Sequence, residues 1–511
     1  MAAHGRAGDA TRQARDEFRT LRAHLEEGIL SLATSVDGRR FTYQASLHGL
    51  ELQPGGYVSL SPPGRDPQLG QVLSLAEHRT DGPEIELGFN PDTAPARFRV
   101  VIRGAAGDGV ILEGDGEPFH DAEIAPASDA EISAWLARVA PTRARLEIGS
   151  LLLAPEIPFA LDAGGFDRHT FLCGQSGSGK SYALGALLEQ VVQETGLRII
   201  ILDPNSDFVR FASAKADASE EAASRWRAAA SGVVVRQSAE AGDKRLRLRF
   251  ADLDTRTRAA MLRIDPIADR DEYAALATAV ARSRERGGLA AVRELATTND
   301  PIEQQLGLRV GNLGVQEWSV WARDDAGTLL EEIVAGDTRC LVVDLGSLPT
   351  REEQALTAVS VLDTLWAQRA DRRPTLIVVD EAHNVCPQHP EDGLTALATE
   401  HAVRIAGEGR KFGLHLLVAT QRPQKVHENV VSQCDNLILM RMNSTADVGA
   451  LAGAFSFVPP GLLDRATAFR QGETLIAGKL SGHPALVRVG RRISEEGGGD
   501  VASGWADTPR G

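Results

Sequence analysis

Phe171-Leu172-Cys173-Gly174-Gln175-Ser176-Gly177-Ser178-Gly179-Lys180-Ser181 runs from an apolar strand end, through G-x-x-x-x-G-K-S, into a helix. Ala183, Leu184, Leu187, Leu188, Val191 and Val192 follow at helical spacing, and Gly196 stops the run. Strand, glycine loop and helix N-terminus in that order predict a P-loop. Glycines let successive backbone N–H groups turn inward onto a triphosphate, and the helix N-terminus adds partial positive charge. Residues Gly174 to Ser181 are the expected nucleotide cradle. Lys180 would reach the β- and γ-phosphates of ATP, and the Ser181 hydroxyl would ligate Mg²⁺.

The rest of the chain sets this loop in context. At 511 residues it is longer than one domain, with 43% hydrophobic and 24% charged residues. A net charge of −15 argues against coating nucleic acid by bulk charge, while leaving room for a local basic groove. Cys173, Cys340, Cys386 and Cys434 are scattered and read as thiols of a reducing compartment. The N-terminus is polar and no apolar run approaches a membrane span, so the expected location is cytoplasmic, with no membrane partner.

The expected fold class is α/β. Residues 1–37 read as a polar arm with one helix. Residues 38–125 alternate apolar and polar residues between Gly, Pro and Asp turns, which predicts a small antiparallel β-barrel. Residues 126–147 read as a helical linker. Residues 148–491 hold the ATPase core, with a mostly helical insertion at 209–335, and 492–511 read as a flexible, Gly-rich tail. Strands ending at Asp203, Asp344, Asp380, Thr420 and Arg441 alternate with helices, as in a largely parallel sheet. Within the insertion, Lys244-Arg245-Leu246-Arg247-Leu248-Arg249 fits either a basic face toward DNA or a solvated edge strand.

Asp380 ends the apolar run Leu376-Ile377-Val378-Val379, where a carboxylate can hold the Mg²⁺ shell opposite Ser181. Glu381, one residue on, can polarise the attacking water. Gln421 follows another apolar strand and can sense the γ-phosphate; a turn or capping role is the plainer alternative. Arg404, Arg410, Lys411, Arg422 and Lys425 crowd 401–425 against one acid, Glu408, which calls for an anionic partner. Arg410 is the preferred arginine finger, supplied in trans, with Arg422 and Arg441 behind it. The letters Asp380-Glu381-Ala382-His383 match the box of the DEAH helicases, but the further motifs of that group are missing from the chain.

Together, Gly174–Ser181, Leu202-Asp203-Pro204, Val379-Asp380-Glu381-Ala382-His383, Gly409-Arg410-Lys411-Phe412-Gly413, Gln421-Arg422-Pro423 and Ser432-Gln433-Cys434 resemble the HerA family of FtsK-like hexameric ATPases. Gly55-Gly56-Tyr57-Val58 and Gly70-Gln71-Val72 resemble that family's N-terminal HAS-type barrel, and the likeness extends to Gly472–Gly478. The resemblance implies a RecA-like core, a homohexameric ring, Mg·ATP at subunit interfaces and double-stranded DNA in a central channel. It assigns Lys180, Ser181 and Asp380 to nucleotide and metal, Glu381 to catalysis, Gln421 to sensing and Arg410 to the trans finger. It also implies a partner, either a NurA-type nuclease or a Sir2-like or nuclease effector of anti-phage defence. The expected function is therefore a DNA translocase or helicase in DNA repair or antiviral defence. Two alternatives stand beside it. One is an ATP-binding platform whose partner does the chemistry. The other is a conjugation or secretion ATPase, disfavoured by the absence of a span.

Overall fold

The computed structural model describes residues 16–87, 96–140, 143–238, 244–283, 289–322 and 327–497. The chain divides into two compact units. One runs to Ala140 and takes in Leu153–Ile157 and Val458–Arg465; the other holds the remainder.

The first unit is built on an antiparallel sheet of β1 (Leu32–Ser35), β2 (Arg40–Ser46), β3 (Tyr57–Ser61), β4 (Gln68–Val72), β5 (Ala76–Leu87), β6 (Ala96–Glu113) and β7 (Phe119–Pro126). The order is β2-β1-β7-β3-β4-β6-β5, and a further β2–β6 pairing closes six of the strands into a barrel. Alternation in the sequence sends Phe41, Tyr43, Val58, Leu60, Ala122 and Ile124 into its interior. A Cβ on Gly109 would sit 2.1 Å from the Phe41 ring, so that glycine is what lets the aromatic fill the barrel. The barrel begins at Leu32, so its first strand falls inside the stretch expected to be an arm. Residues 16–27 form the expected helix. Its buried Glu26 accepts a hydrogen bond from the Arg103 amide at 3.2 Å and ties the helix to β6. Residues 1–15 of that arm lie outside the described residues. Within the expected linker, α1 (Asp129–Val139) opens on a Ser128–Glu131 capping box.

The described residues include an 11-stranded sheet, all of it in the second unit except residues 154–157 of its last strand. Its strands are β8 (Arg145–Leu151), β9 (Ala154–Asp162), β10 (His169–Cys173), β11 (Arg198–Asp203), β12 (Val233–Arg236), β13 (Cys340–Asp344), β14 (Thr375–Val379), β15 (Leu414–Thr420), β16 (Cys434–Leu439), β17 (Glu473–Gly478) and β18 (Ala485–Val489). The order is β12-β13-β11-β14-β15-β10-β16-β17-β18-β8-β9. The run from β12 to β16 is parallel; β17, β18 and β8 continue it antiparallel. Strands β10, β13 and β14 are buried at every position, as the continuous apolar runs require of strands covered on both faces.

Two regions differ from expectation. The stretch 209–335, between β11 and β13, is helical for the most part, but β12 lies within it and pairs in register with β13 (Val234 with Leu341). The run Val233-Val234-Val235 is too short to stand out beside Ala-rich helices. Next to it, Leu246 and Leu248 are fully buried, Arg245 donates to the Ser319 carbonyl at 3.0 Å, and Arg249 pairs with Glu331 at 2.8 Å. These two arginines are spent on the protein's own acceptors and do not form a free basic face. The second region is the tail. Residues 492–497 are packed, and Arg492 and Ser494 are buried, because the second unit supplies partners that a Gly- and Glu-rich sequence does not reveal. The remainder of the expected tail, 498–511, lies outside the described residues. Among the described residues no helix is long and apolar enough to cross a membrane.

Candidate nucleotide site

Parallel strands bring their carboxyl ends to one edge, and ligands of open α/β sheets sit there. Cys173 at the end of β10 is registered with Thr420 of β15 and Leu439 of β16, so the P-loop, Gln421 and Arg441 leave the sheet side by side. Val379 of β14 is registered with Val418 of β15, which brings Asp380 and Glu381 to the same edge. The loop then turns into α2 (Lys180–Glu194). Gly177 and Gly179 adopt φ of 71° and 93°, left-handed values that suit glycine. The loop is pinned to both neighbours: the Gly174 amide donates to Thr420 O at 3.3 Å and the Gln175 amide to Arg441 O at 3.0 Å. The Arg441 guanidinium also donates to the Gly177 carbonyl at 3.1 Å.

Lys180 is 4% exposed, with its ammonium bonded to Asp380 Oδ1 and 3.2 Å from Glu381 Oε1. Burial pulls its pKa down, but the two carboxylates outweigh burial and hold it above the usual lysine range. Asp380 is fully buried, and its second oxygen, Oδ2, has no hydrogen-bond partner. A buried carboxylate oxygen left open is costly unless something fills the need. Ser181 Oγ donates to Asp207 Oδ2 at 2.6 Å, which leaves its lone pairs available. Hard oxygen donors of this kind suit Mg²⁺, so the residues fit the metal, and Ser181 and Asp380 are the ones that would hold it.

Glu381 stands at φ 41°, a strained left-handed value for a residue with a side chain. Its Oε1 accepts from Gln421 Nε2 at 2.8 Å. Its Oε2 is buried, makes no hydrogen bond and lies 3.3 Å from His383 Nδ1. That same ring nitrogen is hydrogen-bonded with Thr420 Oγ1 at 3.1 Å. Burial holds His383 below the usual histidine pKa, with Glu381 opposing the shift. The arrangement leaves one carboxylate oxygen fixed by Gln421 and the other free to take a proton from water.

Lys180, Ser181, Asp380, Glu381 and Gln421 are therefore brought together, as their positions at strand ends suggested. Arg410 is not among them. It precedes β15, at the opposite edge, and pairs there with Asp435 at 3.0 Å while 37% exposed. β15 has seven residues, which at about 3.3 Å each spans roughly 20 Å. Arg422 is exposed on the nucleotide edge, and Arg441 is built into its own P-loop.

Asp207 was not legible in the sequence. It reaches Ser181 because Ser206 takes φ 61° and turns the chain after Asp203-Pro204-Asn205. Burial raises the Asp207 pKa, and the Ser181 hydrogen bond opposes this. Burial also pushes Asp203 up to about 7, against hydrogen bonds from the Phe208 and Asp207 amides. The polar run Asn205-Ser206-Asp207 just after the strand-ending Asp203 was the available signal.

Residues 146–311 match the family described as helicase HerA, central domain. The chain is 23% identical to the DNA double-strand break repair helicase HerA of Pyrococcus furiosus over 67% of this chain and 69% of that protein. It is also 23% identical to a probable helicase of Methanocaldococcus jannaschii, over 70% and 69%. Among solved structures, VirB4 of Thermoanaerobacter pseudethanolicus is 16% identical, with a TM-score of 0.48, covering 69% of this chain and 98% of that one.

Proposed function

We propose that this chain, which matches the HerA central domain over residues 146–311, works as a HerA-type P-loop ATPase, and that six copies form a ring that hydrolyses Mg·ATP and drives double-stranded DNA through its centre. The carrying observation is the division of the machinery between two edges of one sheet. Lys180, Ser181, Asp380, Glu381 and Gln421 meet at the carboxyl edge, while Arg410 stands at the other and cannot reach its own nucleotide. A neighbouring copy is the natural recipient of that arginine, and a ring gives every copy a neighbour.

Within each site Lys180 binds the phosphates and Glu381, steadied by Gln421, accepts the proton of the attacking water. The metal, when bound, neutralises charge on the transferring phosphoryl group. The barrel serves ring assembly in this reading. Lys411, Arg422 and Lys425, exposed and without ion pairs among the described residues, are available to a phosphate backbone or a neighbour's nucleotide. The relative's printed name, a double-strand break repair helicase, supports DNA as the track. A partner nuclease of the NurA type fits end processing, and a Sir2-like or nuclease effector fits defence.

The test is the ATPase rate of the purified full chain with and without linear duplex DNA, with Lys180→Ala as the blank. Strong stimulation by DNA is expected. A rate at the level of the blank in both conditions would overturn the motor and leave an ATP-binding platform.

A further inference from the structure

The segment following β18 turns back onto the P-loop helix. Arg492 has no exposed side-chain surface. Its Nη1 donates to the Ser181 carbonyl at 3.0 Å, its Nε to Ser494 Oγ at 2.9 Å, and its backbone amide to the Tyr182 hydroxyl at 2.7 Å. Glu189, on the next turns of α2 and 1% exposed, accepts from the Ile493 amide at 2.9 Å and faces Arg492 Nε at 3.9 Å. Gly185 lies beneath the guanidinium; a Cβ there would stand 2.3 Å from Arg492 Cζ, so the helix is shaped to admit this side chain.

Five residues later the same segment reaches the other side of the site. The Gly497 amide donates to the Asp207 carbonyl at 3.0 Å, and the Glu495 amide to Ser213 O at 2.8 Å. Ser181 and Asp207 are the two partners of the 2.6 Å hydroxyl–carboxylate bond at the metal-binding end of the loop. One short segment thus grips both: Ser181 through Arg492 and Asp207 through Gly497.

We infer that Arg492 is a positioning residue for the metal end of the P-loop, and that residues 492–497 act as a clamp setting the Ser181–Asp207 pair for Mg²⁺. Burying an arginine at this place is costly unless its donors have defined acceptors; here Ser494, Glu495 and Glu496 of the segment itself supply some, and the Ser181 carbonyl supplies the one that belongs to the site. The inference rests on the reading of Ser181 as a magnesium holder.

The experiment measures affinity for a fluorescent, slowly hydrolysed ATP analogue on the full chain, once with Mg²⁺ and once with EDTA. Arg492→Lys keeps the charge opposite Glu189 but loses the guanidinium fork. Gly497→Ala leaves Arg492 alone and pushes the segment off, since a Cβ at 497 would meet Ser206 O at 1.9 Å. The expected result is a loss of the Mg²⁺-dependent gain on the order of tenfold in Arg492→Lys, with a smaller loss in Gly497→Ala and little change in EDTA. Losses equal in Mg²⁺ and EDTA, or an unchanged gain in folded protein, would overturn the clamp. If Arg492→Lys fails to fold, Gly497→Ala decides alone. Ser181→Ala separates the two claims. If it keeps the Mg²⁺ gain, the reading of Ser181 fails. If it loses the gain while both clamp variants retain it, only the clamp fails.

Discussion

The two edges of the central sheet treat charge in opposite ways. At the carboxyl edge Lys180, Asp380 and Glu381 are each at most 4% exposed, and Gln421 braces the cluster. At the amino edge Arg410 and Asp435 form a pair with 37% and 51% of their side chains exposed. Buried charges act strongly on one another, and breaking such a pair is expensive; an exposed pair contributes little. The first edge is thus set for chemistry within the chain. The second holds its arginine loosely, in a form that another anion can claim.

Arg410→Ala gives the largest contrast. Turnover should fall about 10³-fold, while melting shifts by no more than about 1 kcal/mol, the range of an exposed pair. Mixing it with Lys180→Ala protomers should restore part of the rate, since each variant supplies what the other lacks. No recovery at any mixing ratio would erase the division between the edges. Glu381→Gln comes next: turnover should drop about 10²-fold or more with nucleotide still bound, read by retention of a fluorescent ATP analogue. Preserved turnover would remove Glu381 from proton transfer.

The smallest effect concerns His383, which faces Glu381, Asp380, Lys180 and Arg422. Its pKa lies below the ordinary 6.5 because it is buried. The folded state binds its proton less well than the unfolded chain, so its contribution to stability is full above 6.5 and lost as pH falls below that. In the same direction, protonation puts a cation against the free oxygen of Glu381 and slows turnover. His383→Asn should shift the acid limb of the pH–rate profile to lower pH by a few tenths to one unit, with the plateau changed about twofold or less. An unmoved limb would detach His383 from Glu381.

The sequence made the carboxyl edge legible because its residues sit in short contiguous signals: a glycine loop, an Asp-Glu pair and a Gln, each after an apolar strand. It also placed the β-rich stretch ahead of the ATPase core. What it hid depends on long-range closure. Asp207 meets Ser181 only through the turn at Ser206. Arg492 sits 312 positions beyond Lys180 (492 minus 180) and reads as part of a polar tail until Gly185 and Glu189 are seen beneath it. The basic cluster at 401–425 illustrates the converse. Its composition suggested one shared partner, yet Arg404 pairs with Glu400, Arg410 faces Asp435, and Lys411, Arg422 and Lys425 form no ion pair among the described residues.

The path of the chain also sets an order of manufacture. Val458–Arg465 belongs to the barrel unit, and Gly461 lies so close to Leu73 that a Cβ would stand 2.5 Å from its carbonyl. A ribosome makes the seven strands of the first sheet first, then most of the ATPase core, and only then this last piece. The first unit to be synthesised is therefore among the last to be finished. A fragment ending at Ala140 would carry every barrel strand and still lack a part of its own surface.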